Sequence, residues 1–179
     1  GSQTYFEPPW LQCPFQATFC VDDVKPEEED VRTLRKTIEH LRQAKREGKH
    51  FYIGCGFHRP HKPFMAPQRF YDLYAGPTET AQQLTMPRDV PDIACVADFD
   101  IRYPNGTGPF KWDPKRKPIP VPVQADVRRH YFAAISFVDS LVGQLLQTLE
   151  ELDLTKSTVI IFHSDHGYFM GESGEWEKK

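Results

Sequence analysis

The sequence predicts a three-layer α/β domain with a mainly parallel central sheet, and three observations lead to that prediction. Two short apolar runs, residues 51–57 and 158–162, are typical of strands buried on both faces. Each run follows an amphipathic segment that is long enough to be a crossover helix. Each run also ends in polar and histidine side chains. Because ligands bind beyond the carboxyl ends of such strands, these two ends are the first candidates for a site.

The composition is that of a globular protein with a core of its own. The 179 residues are 39% hydrophobic and 13% aromatic, which excludes a disordered tail. A formal net charge of −3 argues against nucleic-acid binding, which requires a basic surface. No apolar run has the length of a membrane span, and residues 1–4 lack the features of a targeting signal. The chain stops at Lys179 without a closing element, so we expect it to be part of a longer protein.

The four cysteines show none of the close pairing that zinc or thioredoxin-like sites require. Cys13 and Cys20 could form a disulfide across the short loop between them in an oxidising compartment. Cys55 lies inside the first predicted strand, where a small buried apolar side chain is the simpler interpretation.

The first predicted helix covers residues 26–47. Pro26 suits the first helical turn, and the acidic residues after it complement the helix dipole. Apolar residues then recur every three or four positions, at Val31, Leu34, Ile38 and Leu41. We expect this helix to pack on one face of the sheet, with its charged face in solvent.

The first predicted strand, residues 51–57, leads into a stiff cationic loop that contains two histidines. Pro60 and Pro63 exclude a helix and restrict the backbone, so the side chains around them are held in set directions. A stiff cationic loop at a strand end suits the binding of an oxyanion. His58, nearest the strand, is the candidate site residue, whereas His61 is better explained by a hydrogen bond to a backbone carbonyl.

Residues 66–123 are proline-rich and largely aperiodic, which predicts a long loop with one short helix at 68–74. The basic residues of this loop could meet a polyanionic substrate; they are Lys111, Lys115, Arg116 and Lys117. A solvated surface is the more common explanation of such a charge run.

The strongest helical periodicity covers residues 124–152 and returns the chain to the second predicted strand, residues 158–162. Asp165 and His166 follow that strand directly, within a glycine-punctuated loop at 163–179. An Asp-His pair here could simply cap a following helix. The histidines at the end of the other strand favour a shared site at one edge of the sheet instead.

Three blocks of the sequence together resemble the sulfatase family; they are residues 51–64, 131–146 and 164–176. The resemblance implies an alkaline-phosphatase-like α/β fold, of which this chain would be the central part. It implies hydrolysis of sulfate esters on a sulfated glycan, such as an iduronate 2-sulfate, in the lysosome or outside the cytoplasm. It also implies bound Ca²⁺ and a formylglycine nucleophile made from a cysteine.

The resemblance assigns roles to four residues. Asp165 and His166 match the family's calcium-site pair, His58 matches the histidine that contacts the sulfate, and Lys178 matches the lysine that neutralises it. Calcium prefers oxygen ligands, so Asp165 suits it, whereas His166 could instead bond the nucleophile or the ester oxygen. A protonated His58 and the Lys178 ammonium would stabilise the charge of a leaving sulfate.

The sequence also departs from the family pattern. No cysteine lies in the Cys-x-Pro-x-Arg motif of the nucleophile, and the family's N-terminal aspartate pair is absent. Since Ca²⁺ takes about six to eight oxygen ligands, Asp165 and His166 alone cannot hold it tightly. The alternatives are a phosphodiesterase or phosphonate hydrolase of the same superfamily, and a non-catalytic remnant that binds anionic glycans.

Overall fold

The computed structural model describes residues 19–21, 29–74, 76, 85, 88–91, 100–102, 109–111 and 119–178. The helices are α1 (Glu29–Glu47), α2 (Gln68–Asp72) and α3 (Val121–Glu151), with 3-10 turns at Thr155–Ser157 and Glu172–Gly174. The strands are β1 (Phe19–Val21), β2 (Phe64–Ala66), β3 (Asp100–Arg102), β4 (Pro109–Lys111), β5 (Phe169–Met170) and β6 (Trp176–Glu177).

The described strands are short and pair two by two. β1 lies parallel to β2, with Phe19 opposite Phe64, whereas β3 with β4 and β5 with β6 are antiparallel. The parallel pair fixes the chain immediately after the histidine-containing loop. The β5–β6 pair is a hairpin whose second strand leads directly to Lys178.

Helix α3 is the element around which the described core is built. It contributes to all three buried apolar clusters, through Val127 to the first, Phe137 to the second and Leu149 to the third. It starts at Val121, three residues before the predicted start, because prolines are compatible with a first helical turn and had suggested a loop. It ends at Glu151, where Leu152 caps it.

Helix α3 is also the one described helix that is long and apolar enough to span a membrane by length and composition. A core helix of a soluble protein meets the same criterion. Here α3 packs against α1, α2 and β2, and its buried residues face those elements.

Helix α1 occupies residues 29–47 of the predicted 26–47; residues 26–28 lie outside the described part of the chain. Leu34 and Leu41 of the predicted apolar stripe are buried. Asp30 differs from the prediction. It belongs to the acidic first turn that was expected in solvent, yet it is completely buried, because it accepts hydrogen bonds from the loop after residue 57.

The predicted loop at 66–123 contains more regular structure than expected. Helix α2 occupies Gln68–Asp72, and β3 and β4 form a hairpin inside the same segment. Strands this short leave little periodicity in a sequence, which is why the pattern did not show them. The four basic residues proposed to meet a polyanion lie on or after β4, where no side chain is described, so that interpretation stays a prediction.

Residues 51–57 and 158–162, which were predicted to be buried strands, are more exposed than expected. Neither pairs with another strand in the described part of the chain. Val159 and Ile161 are 87% and 80% exposed, and in residues 51–57 half-buried and exposed side chains alternate. No described element covers the exposed side chains of these two segments, so their place in a central sheet stays a prediction. Cys13 lies outside the described residues, and Cys55 is a free, partly buried thiol.

Candidate active site

The loop that carries His58 is fixed by a carboxylate beneath it. The backbone N–H of His58 donates to Asp30 Oδ1 at 2.6 Å, and the backbone N–H of Arg59 lies 3.3 Å from Oδ2. Arg59 Nη1 also donates to Oδ2 at 3.0 Å, while its Nε donates to the carbonyl of Met65 at 3.0 Å. Arg59 is therefore a buried structural cation, although the sequence had placed it among the charges of an anion site.

The two histidines of this loop lie against each other at the surface. The ring centroids of His58 and His61 are 4.7 Å apart, and both residues are exposed. His61 Nδ1 lies 2.7 Å from the carbonyl oxygen of Lys62. This is the type of hydrogen bond predicted for His61, but it has a second consequence. Because a carbonyl oxygen only accepts, Nδ1 is the donor in this contact, and the contact fixes the direction of Nε2.

Lys62 connects this loop to the C-terminal hairpin. Its ammonium forms an ion pair with the carboxylate of Glu177, and both side chains are largely buried. Glu177 directly precedes Lys178 and has a φ of +96°. The contact thus joins two loops that are far apart in sequence, one with the histidines and one with the candidate lysine. Nothing in the sequence pattern indicated this pair.

The hairpin itself is held on the N-terminal half of α3. Arg128 Nε donates to the carbonyl of Met170 at 2.7 Å, and its guanidinium lies 5.8 Å from the ring centre of Trp176. Trp176 is almost completely buried. Burial lowers the pKa of Arg128, and the nearby carboxylate of Glu172 acts in the opposite direction. These contacts fix the direction in which β6 delivers Lys178.

Gly171 is the residue that allows this close packing. Its φ is +105°, a conformation that glycine adopts without strain. A Cβ at this position would lie 2.8 Å from Trp176 Cζ2 and 2.9 Å from Arg128 Nη2. Glycine is thus required at this position because of the positive φ and because the neighbouring side chains leave no room for a Cβ.

A layer of aromatic rings lies under the two loops. The ring of Tyr168 is 5.6 Å from that of Phe64 and 5.6 Å from that of Tyr131, measured between centroids. Burial, followed by the charge of Glu177, raises the pKa of Tyr168. Its hydroxyl therefore stays neutral, and it adds no charge to the site.

Asp165 and His166 form a compact pair in an exposed segment. The backbone N–H of His166 donates to Asp165 Oδ1 at 2.9 Å, and His166 Nε2 lies 3.3 Å from Oδ2. Loss of surrounding water raises the pKa of Asp165, but the backbone N–H and ring of His166 and the ammonium of Lys178 outweigh it. The pKa therefore lies below its ordinary value.

The comparison with known families identifies the class of protein. The model of the sulfatase family matches residues 3–179. The chain belongs to the sulfatase family. This confirms the resemblance on which the four candidate residues were assigned.

Individual sulfatases agree with the family match. The chain is 35% identical to human iduronate 2-sulfatase over 169 residues, which cover 94% of this chain and 30% of that protein. It is 33% identical to a sulfatase of Formosa agariphila over 132 residues, or 72% of this chain and 24% of the relative. It is also 33% identical to the choline-sulfatase of Rhizobium meliloti over 127 residues, or 70% and 23%. The chain thus spans less than a third of the length of these sulfatases.

Sulfatases generally use a divalent metal, for which Asp165 and His166 are the candidate ligands in this chain. The Asp165 carboxylate is an oxygen ligand of the type that Ca²⁺ takes, and His166 Nε2 lies 3.3 Å from Asp165 Oδ2. Within the described ranges, no group of three or more His, Cys, Asp or Glu residues could hold one. Asp165 and His166 therefore offer only part of a ligand set.

Proposed function

We propose that this chain is the central part of a sulfatase catalytic domain, and that the full-length protein hydrolyses sulfate esters. The observation that supports this most is the ion pair between Lys62 and Glu177. It joins the histidine-containing loop to the C-terminal hairpin, which is followed directly by Lys178. A sulfate ester develops negative charge on its leaving oxygens, and such charge requires fixed cations and hydrogen-bond donors.

His58 and Lys178 are proposed to stabilise that charge. A protonated imidazole and an ammonium bind the transition state more strongly than the ground state, because the charge is larger there. His61 is a second candidate in the same loop, since its ring contacts that of His58 and its Nε2 is oriented by the Nδ1 hydrogen bond. An imidazole oriented in this way can accept a proton at Nε2 and later return it.

Asp165 and His166 are proposed to bind the metal, which we infer to be Ca²⁺. Bound Ca²⁺ would attract the sulfate oxygens as a hard cation and withdraw charge from the sulfur. The exposed Asp165 carboxylate has a lowered pKa and is thus ionised, as a calcium ligand must be. The remaining ligands and the formylglycine are expected in parts of the protein outside this chain.

A sulfated glycan is the proposed substrate, and a 2-sulfated iduronate is the specific candidate. The support is the identity to human iduronate 2-sulfatase along 94% of this chain. We propose a lysosomal, secreted or periplasmic location together with this substrate. A choline-sulfatase also matches, so the substrate must be decided by assay.

The test is hydrolysis by the full-length protein of three substrates, namely a 2-sulfated iduronate disaccharide, an aryl sulfate and an aryl phosphodiester. We expect release of sulfate, loss of activity with a calcium chelator and its return on addition of Ca²⁺. Preference for the phosphodiester would replace the proposal with a phosphodiesterase. Absence of all three activities, with glycan binding retained, would indicate a non-catalytic remnant.

The upstream sequence provides an independent check. We expect a Cys-x-Pro-x-Arg motif upstream of residue 1. Mass spectrometry of the full-length protein should show that its cysteine has been converted to formylglycine. A full-length protein without that motif would contradict the proposed mechanism.

A further inference from the structure

The side chain of Asp30 is a buried carboxylate that the proposed chemistry does not use. It lies in the first turn of α1 and is completely buried. Burying a carboxylate costs several kcal/mol unless charge and hydrogen bonds compensate. Its position therefore requires an explanation from its partners.

The described hydrogen bonds of Asp30 connect it to the loop of the candidate histidines. One oxygen, Oδ1, accepts the N–H of His58 at 2.6 Å, and the other accepts two donors of Arg59, at 3.3 Å and 3.0 Å. Arg59 is itself buried and reaches on to the carbonyl of Met65 in β2. One carboxylate thus fixes the backbone at the site histidine, and through Arg59 it fixes the strand that follows the loop.

We propose that Asp30 is a positioning residue for the imidazoles of this loop; the proposal rests on the proposed function. Asp30 does not contact the substrate. It sets the backbone direction at His58, from which the side chain projects to the surface against the ring of His61. Rigid support matters because misplacement by about 1 Å can cost roughly 10²-fold in rate.

The structure favours positioning over a purely stabilising ion pair. A salt bridge that only stabilised the fold would need no backbone donor, yet Asp30 also accepts a hydrogen bond of 2.6 Å from the backbone N–H of His58. Substitution should therefore change catalysis in molecules that remain folded, and not only the number of folded molecules.

The experiment compares Asp30→Asn and Asp30→Ala with Leu41→Ala in the full-length protein. Leu41 is a buried residue of the same helix that packs against Leu149 and Leu154, away from this loop. All three variants are expected to lower Tm. We expect the Asp30 variants to lower kcat per folded molecule by about 10-fold to 100-fold with a smaller change in KM. Leu41→Ala should leave kcat per folded molecule unchanged.

The backbone provides a readout that does not depend on activity. The His58 amide should be protected from hydrogen exchange in the wild type and should lose that protection in Asp30→Ala. If both Asp30 variants keep wild-type kcat per folded molecule, or if the His58 amide is unprotected in the wild type, the positioning role is wrong. If the wild type hydrolyses no sulfate ester, the proposed function fails, and the amide measurement still decides whether Asp30 fixes the loop.

Discussion

The hairpin at 169–177 and the segment before it, residues 158–167, are neighbours in sequence but differ in how they are held. The hairpin is anchored by Trp176 and by the guanidinium of Arg128, which binds the carbonyl of Met170. Residues 159–167 are exposed, and their apolar side chains contact no described core cluster. Candidate site residues lie in both, since Lys178 follows the hairpin and Asp165 lies in the exposed segment.

This difference divides the candidate site into two parts. The histidine-containing loop and Lys178 are positioned by the buried Asp30 and Arg128 and by the half-buried Glu177. Asp165 and His166 are positioned by contacts with each other, with the hydroxyl of Ser164 and with nearby backbone. Electrostatic stabilisation depends on charges that are fixed before the reaction. The described residues thus organise the proposed charge-stabilising part, whereas the proposed metal-binding part depends on structure that covers 158–162.

The largest effect is expected for Lys178 in the anchored part. Lys178→Ala in the full-length protein should lower turnover roughly 10²-fold or more, because a fixed cation at the developing charge is lost. The measurement is kcat on an aryl sulfate. Lys156→Ala is the matched control, since Lys156 is an exposed lysine in the turn at Thr155–Ser157. Equal rates for both variants would remove Lys178 from the site.

The second-largest effect is expected for Gly171→Ala, which tests how firmly the hairpin is anchored on α3. Gly171→Ala combines an unfavourable φ with contacts under 3 Å, to Trp176 and Arg128, and should destabilise the fold by about 1–3 kcal/mol. Chemical denaturation of the wild type and variant measures this. Gly143→Ala is the control because a Cβ there meets nothing within 4 Å, and in a helix it should stabilise by about 0.5–1 kcal/mol. A neutral Gly171→Ala would mean that the hairpin is not seated on α3.

The sequence predicted the parts of this arrangement that depend on local pattern. The apolar stripe of α1, the long periodic α3 and the Gly171 turn all follow from spacing and residue type. His58, Asp165 and His166 were chosen because they follow the ends of apolar runs, and Lys178 was chosen from the resemblance to sulfatases. Their roles stay predictions.

The tertiary contacts could not be predicted from local pattern. Asp30 had the features of a helix-dipole residue, and only its contact with His58, 28 positions later, shows that it is buried. The ion pair of Lys62 with Glu177 spans 115 positions. The apolar runs at 51–57 and 158–162 predicted buried strands, but burial also requires partner elements. No element in the described residues covers the exposed side chains of these two runs. Local pattern alone could not predict that these side chains would be exposed.

A smaller effect is expected in the exposed part. Asp165→Asn should weaken Ca²⁺ binding to the full-length protein by roughly 10-fold or more, because one charged oxygen ligand is lost. Isothermal titration with CaCl₂ measures the affinity. Asp153→Asn is the control, since Asp153 is exposed and has a φ of +50°, which asparagine tolerates. An affinity equal to the wild type in Asp165→Asn would exclude it as a ligand.

The smallest effect tests whether residues 158–162 are held less firmly than the hairpin at 169–177. In the 179-residue chain, Ile161→Ala should change the free energy of unfolding by less than about 0.5 kcal/mol, because Ile161 is exposed. Val127→Ala, at a completely buried position of α3, should cost about 1–3 kcal/mol. Equal losses would show that 158–162 is already packed in this chain.

Repeating the Ile161 measurement in the full-length protein completes the test. If 158–162 becomes a central strand there, Ile161→Ala should cost about 2–5 kcal/mol, as for other large buried aliphatic residues. Asp165 would then be held at the end of a buried strand, as the hairpin now holds Lys178. A substitution that stays neutral in the full-length protein would contradict the predicted sheet and leave the metal-binding pair without a rigid support.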